Sequence, residues 1–268
     1  MPELPEVEAV VRRLREASLG ARVKSVHVER KGIIAPQHPD EFEVIEGKTI
    51  VEIRRRAKYI LIRMSSGMVL QVHLRMTGNL YVIEDYRFRP AAARVWLRLA
   101  DGRGIVFEDG RALGKVNLVS AGDVLALEAE LGPEPLEDAF TPGVLREIFR
   151  GVKAPIKPVL MDQRRIAGVG NIYASEALWH ARIDPRKPAG EVKFAKVKEL
   201  HAALQKVLSE AKASAYTEYA QPGTIVEAEE FTVAVYDREG EACLRGRGVV
   251  ERIVQAGRST YFCPKCQK

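Results

Sequence analysis

The sequence predicts an α+β protein: an N-terminal β-sandwich with a helix at its terminus, then a helical domain that closes on short strands. Three observations predict it. Val7, Val10, Val11 and Leu14 recur at i, i+3, i+4 and i+7, so an amphipathic helix begins almost at the first residue. Residues 22–120 alternate apolar and polar in short runs, broken by Gly and Asp turns. From Thr141 the period becomes helical and stays so to about Ala215.

The elements follow in order. Arg12, Arg13 and Arg15 mark the polar face of the first helix, and Gly20 supplies its stop. Strands are expected at Val23–Val28, Thr49–Arg56, Tyr59–Arg63, Met68–His73, Val95–Leu99, Gly104–Phe107 and Lys115–Val119. So many short strands at this spacing imply a sandwich or flattened barrel. Leu131-Gly132-Pro133-Glu134-Pro135-Leu136 reads as a connector. Thr141-Pro142 then caps a new helix, with Pro at its first position. The expected organisation is a first domain at 1–130, a linker at 131–140, a helical domain at 141–225 and a closing segment at 226–268.

Composition narrows the function. With 268 residues the chain has room for two cores, and 46% hydrophobic with 29% charged residues is ordinary globular make-up. It carries no apolar run of transmembrane length and no signal-peptide core, so a cytoplasmic protein without a membrane partner is expected. A net charge of +6 favours a polyanionic partner. The three cysteines, Cys243, Cys263 and Cys266, all lie near the end, a pattern that suggests metal rather than disulfides.

The first eight residues carry the sharpest chemistry. Removal of Met1 ahead of the small Pro2 leaves a secondary amine, with Glu3, Glu6 and Glu8 close by in sequence. An α-amino group titrates near neutrality, at a pKa of roughly 8. Its neutral form attacks an aldehyde-like carbon and yields an iminium ion, and carboxylates can shuttle the protons. Pro and Glu in a first turn are also ordinary helix-start chemistry, and the terminus alone does not separate the two. In the helical domain, Gly168-Val169-Gly170-Asn171 opens a helix with bare amide N–H groups and a side-chain donor, which suits one phosphate.

Four motifs, in order, resemble the bacterial formamidopyrimidine-DNA glycosylase family. They are Pro2-Glu3-Leu4-Pro5-Glu6-Val7-Glu8, Asp109-Gly110-Arg111-Ala112-Leu113-Gly114, the run from Leu160 to Leu178, and the closing segment with Cys243, Cys263 and Cys266. The resemblance spans residues 2–268 and implies a helix–two-turn–helix in the second domain and a β-hairpin zinc-finger-like end. It implies a base-excision enzyme that removes oxidised purines and then cuts the strand as an AP lyase, acting as a monomer on double-stranded DNA with oxidised bases or abasic sites. Catalysis falls to Pro2, Glu3, Lys58 and Arg258. Glu6, His73, Met76, Arg111, Leu113, Lys157, Asn171 and Tyr219 contact DNA, with Met76, Arg111 and Leu113 filling the vacated stack. Action would be on the bacterial nucleoid.

The chain departs from the family pattern at three places. Leu113 replaces the wedge phenylalanine of the family's Asp-Pro-Arg-Lys-Phe-Gly loop; leucine can wedge but not stack. Tyr219 and Ser214 look like family positions, but the loop at 216–230, which the family folds over the extruded base, does not align. Gly246 stands where the fourth zinc cysteine belongs, so zinc is expected on three thiolates, with water or a carboxylate such as Asp237 or Glu239 as the fourth ligand. Two alternatives accompany the main reading: an endonuclease VIII-type enzyme for oxidised pyrimidines, and a damaged-DNA-binding relative that does not cut.

Overall fold

A computed structural model describes residues 1–218 and 231–268, without the side chains of 216–218. The chain packs as two units: Met1–Glu130 with the segment from Lys212, and Leu131–Ala211 with Phe231–Lys268. Among the described residues no helix is long and apolar enough to cross a membrane.

The first unit opens with α1 (Leu4–Ser18), capped at Glu3. Eight antiparallel strands follow: β1 (Val23–Val28), β2 (Ile50–Arg56), β3 (Tyr59–Met64), β4 (Val69–His73), β5 (Gly78–Ile83), β6 (Ala93–Leu99), β7 (Gly104–Asp109) and β8 (Lys115–Val119). They form two four-stranded sheets, ordered β1-β6-β7-β5 and β2-β3-β4-β8. One core serves both. Ile60 and Ile62 of β3, Leu70 and Val72 of β4, and Ile105 and Phe107 of β7 bury with Val7, Val10, Val11 and Leu14 of α1. Each such side chain contributes about 1.5–3 kcal/mol by leaving water. The alternate residues pack outward: Leu61 with Val69 and Val124, and Val106 with Tyr81 and Trp96. Arg15 fastens α1 to β2, its guanidinium donating to the Ile53 carbonyl at 2.8 and 3.0 Å.

Two elements were not expected. β5 is buried on both faces over its first four residues, Gly78 and Asn79 among them, so no apolar–polar alternation shows. A helix, α2 (Ala121–Glu130), buries only Val124 and therefore has no apolar stripe to read.

The second unit holds α3 (Pro142–Phe149), α4 (Ile156–Met161), α5 (Asn171–Ala181) and most of α6 (Phe194–Glu218). Thr141 caps α3 by accepting from the Val144 amide at 3.3 Å. The turn from α4 to α5 is organised by Gln163. Its amide donates to the Met161 and Val169 carbonyls and accepts from the Gly168 N–H, all at 2.8 Å. Gly132 passes so close to this turn that a Cβ there would meet the Arg165 backbone at 2.3 Å. The unit ends in a hairpin of β9 (Glu251–Gln255) and β10 (Arg258–Phe262).

Candidate nucleic-acid interface

Pro2, Glu3 and Glu6 are all buried at the head of α1. Glu3 and Glu6 form a capping box, and the Glu3 amide donates to Glu6 Oε2 at 2.7 Å. Glu8, one turn on, turns aside and pairs with Arg55 at 2.8 Å. Lys58 sits in the two-residue turn between β2 and β3, next to Ala57 at φ +50°, and is buried. Its charge reaches His73, which also pairs by register with Tyr59 and meets that ring edge-on at 4.9 Å. Burial first, then the charges of Arg75 and Lys58, push His73 from 6.5 down to about 4. Its Nδ1 accepts from the Arg75 amide at 3.0 Å. A neutral ring committed to the backbone makes His73 a support for the following loop rather than a cationic phosphate ligand.

That loop carries Met76, and a second loop carries Arg111 and Leu113. One carboxylate, Asp109, ties them together. Oδ1 accepts from the Thr77 hydroxyl at 2.5 Å and the Arg111 amide at 3.1 Å. Oδ2 accepts from the Leu113 and Gly114 amides at 2.8 and 2.7 Å. Both loops lie on the Phe107 ring, which would stand 2.9 Å from a Cβ at Gly78 and 2.4 Å from one at Gly114. Only glycine allows this approach. Above it, Met76 and Leu113 remain 37% and 43% exposed, an unusual fate for large apolar side chains beside a core. Arg111 is exposed beside them. Asp109 itself is fully buried, and the sequence reading missed it because Asp before Gly looks like any turn.

In the second unit Asn171 opens α5 with Gly170 as its N-cap. Lys157, 1% exposed, donates to Asn171 Oδ1 at 2.6 Å, to the Ser259 carbonyl at 2.9 Å and to the Thr260 hydroxyl at 2.8 Å. Those three bonds use the three N–H donors of an ammonium. Lys157 therefore positions Asn171 against the hairpin. By holding Oδ1 it leaves the Asn171 NH₂ as the free end of the amide. Arg258 stands exposed at the first position of β10, just past the tight Ala256–Gly257 turn. Lys157, Arg258 and Thr260 line one small cavity of about 230 Å³. Glu176, one turn and more along α5, is fully buried and accepts from three successive amides, Ala234, Val235 and Tyr236, at 2.7–3.0 Å. A buried Glu in an otherwise apolar helix face was the signal available for it. Tyr219 lies outside the described residues.

The three cysteines converge as the spacing implied, with all thiols within 4.8 Å of one another and Cys243 Sγ 3.6 Å from Cys266 Sγ. Thiolates bound at about 2.3 Å around a tetrahedral zinc stand about 3.8 Å apart, so the trio fits three of the four ligands. The Trp179 indole N–H donates to Cys243 Sγ at 3.4 Å and fixes that thiol. Among the described residues no carboxylate or histidine joins the cluster. Asp237 instead accepts from the Tyr261 hydroxyl at 3.0 Å, and Glu239 faces Arg252 at 3.9 Å. Zinc held here would be structural, bracing the hairpin that carries Arg258.

Fold and site together define a class, the two-unit DNA glycosylase with a helix–two-turn–helix and a zinc-finger hairpin. The chain matches the formamidopyrimidine-DNA glycosylase N-terminal domain over residues 1–116, the formamidopyrimidine-DNA glycosylase H2TH domain over 131–219, and the zinc finger found in FPG and IleRS over 240–268. It is 42% identical to the formamidopyrimidine-DNA glycosylase of Chloroflexus aggregans, covering 100% of this chain and 98% of that protein. The corresponding Paracoccus denitrificans protein is 40% identical over the full length of both. Among solved structures, Lactococcus lactis Fpg with abasic-site DNA superposes with a TM-score of 0.89 at 30% identity, over 99% of each chain. MutM in complex with DNA containing carbocyclic 8-oxo-G gives 0.89 at 31% over 100% of each. The chain belongs to the formamidopyrimidine-DNA glycosylase family.

Three outcomes are expected. Asp109→Ala strands several amides and lowers stability by about 2–4 kcal/mol, with faster hydrogen exchange at residues 110–114; unchanged exchange there would show that the loops hold without the carboxylate. For His73, the native ring stays neutral where the unfolded chain takes a proton, so stability falls as pH drops from 6.5 to about 4. His73→Asn keeps an acceptor for the Arg75 amide, and its urea midpoint should fall less over that window; parallel profiles would clear His73. Third, Gly246 has open space where a Cβ would lie, though φ is +68°. Gly246→Cys accepts a backbone penalty of about 1 kcal/mol, small against zinc-binding free energies of roughly 10 kcal/mol or more. Metal analysis after dialysis against a chelator should find one firmly held zinc in the variant and less in the parent; equal retention would mean the missing ligand is already replaced.

Proposed function

We propose that this protein, once Met1 is removed, excises oxidised purines from duplex DNA through the Pro2 amine and then cleaves the strand at the resulting site. The observation that carries the reading is the head of α1, where Pro2 adjoins the buried Glu3 and shares the first turn with the buried Glu6, in a member of this family. The neutral amine attacks the sugar C1′ and the damaged base departs with a proton supplied through Glu3. The amine nitrogen, having lost its proton, then expels O4′ from C1′, the ring oxygen takes up a proton, and the resulting iminium acidifies the C2′ proton, whose loss expels the 3′ phosphate. A further elimination expels the 5′ phosphate, and water releases Pro2 from the sugar fragment. Glu6 keeps Glu3 in place through the 2.7 Å bond to its amide.

The other groups divide the work of holding a base outside the stack. Extrusion costs a few kcal/mol of lost stacking, and apolar wedges offset it. Met76 and Leu113, exposed on a braced platform, serve as those wedges, with Arg111 facing the orphaned base. Lys58, the Asn171 amide and Arg258 take backbone phosphates. The bacterial sources of the relatives support action in the cytoplasm, on the nucleoid.

Borohydride trapping on a duplex with a single 8-oxoguanine tests the reading. Wild-type protein lacking Met1 should form a covalent complex and nick the strand. A Pro2→Ala protein with a free terminus should lose at least about a hundredfold in both, near 3 kcal/mol of barrier. Trapping by protein that retains Met1 would rule Pro2 out, because its nitrogen would then be an amide.

A further inference from the structure

The second unit has another cavity, of about 540 Å³, that shares no residue with the one beside Arg258. Its wall is made of cations: Arg182, Lys196, Arg245, Arg247, Lys265 and Lys268, with Cys266 at one side. They come from four places in the chain: the end of α5, the first turn of α6, the loop around Gly246 and the last residues. Lys196 is partnered by Glu199 at 2.6 Å. The other five have no carboxylate partner among the described residues. Crowding cations is costly: burial and the charge of Arg182 both disfavour the Arg245 cation, with only the sulfurs of Cys266, Cys243 and Cys263 acting the other way.

Arg245 is nevertheless fixed. Its guanidinium donates to the Trp179 carbonyl at 2.6 Å and the His180 carbonyl at 3.2 Å, and it lies 3.8 Å from the centre of the Trp179 ring. That leaves N–H donors held in place, without the entropy cost of ordering a free side chain on binding. A rigid guanidinium in a concave ring of like charge is the arrangement that recognises closely spaced phosphate groups. The volume lies within the range of small-ligand pockets, whereas a duplex backbone presents its phosphates along an extended surface.

We propose that this cavity is a second anion site, separate from the DNA-contacting face, which binds a short chain of phosphates, either free or as the tail of a nucleotide. Two cationic side chains outside the proposed machinery, Arg247 and Lys265, make it testable. Calorimetric titration with tripolyphosphate at constant ionic strength should give saturable 1:1 binding in the wild type and equally in Arg258→Ala. The double variant Arg247→Gln, Lys265→Gln should bind at least tenfold more weakly, while retaining the wild-type unfolding midpoint in the absence of anion. A parallel titration with ATP separates the sources. Equal affinity assigns the phosphate chain alone, and tighter binding assigns a nucleotide; both sustain the site. The proposal is overturned if no saturable isotherm appears, if Arg258→Ala abolishes it, or if undamaged duplex displaces the anion. It is equally overturned if the double variant loses only zinc, since the cations would then serve the thiolates.

Discussion

The Asp109 carboxylate, buried and saturated with donors, is the constraint on which the reading surface of the first unit depends. Two loops that must project apolar tips into water cannot be held by a hydrophobic core of their own. Their backbone amides have to be satisfied from inside. A carboxylate can accept from several N–H groups at once, and charge-assisted bonds are about twice as strong as neutral ones. Asp109 takes the Thr77 hydroxyl and three amides of the neighbouring loop, so Met76 and Leu113 are placed by one residue. Arg94 closes the other side by donating to the Asp109 carbonyl at 2.8 Å.

The second unit solves the same problem with two buried charges of opposite sign. Glu176 gathers the amides of residues 234–236, and Lys157 gathers Asn171, Ser259 and Thr260. Lys157 thereby joins the helices to the closing hairpin, and Glu176 joins them to the segment that precedes it. Burial pushes the Glu176 carboxyl up, opposed by its three amide partners and by the charge of Arg238. Fully partnered buried charges of this kind fix one geometry more surely than they add stability. With the finger short of a cysteine at Gly246, these bonds supply a brace for the hairpin that does not depend on zinc.

Much of this was legible in the sequence, and the residues that were not share a cause. Periodicity reveals elements with one wet face: α1 and most strands were read correctly, while β5 and α2 have no such contrast. Met76, Arg111, Leu113 and Arg258 were named from motifs, and all are exposed. Asp109 and Glu176 were not named as site residues, because most of their partners are main-chain amides that side-chain pattern does not identify; a lone Glu on an apolar face of α5 was the one trace. Lys157 was named as a phosphate contact, and only three-dimensional neighbours show that its ammonium also bonds Asn171, Ser259 and Thr260. Three cysteines announced the metal cluster, but the unused state of Asp237 and Glu239 depends on tertiary pairing.

The net charge of +6 has to be weighed in the same way, because many of the cations are already answered. Arg87, Arg103 and Arg186 each fold back onto an aspartate two residues earlier, at 2.5–2.6 Å, inside their own turns. Exposed pairs of this kind contribute about 0–1 kcal/mol and chiefly shape the loops. They add nothing to the field that draws in a polyanion, since each is neutral at a distance beyond the screening length of about 10 Å. The steering charge is what remains without a carboxylate among the described residues, notably Arg111 in one unit and Arg258 in the other, with the cavity around Arg245 as a separate concentration. Affinity for DNA should accordingly follow the placement of these few unanswered cations, not the total, and chain-wide basicity is a poor guide to where the duplex sits.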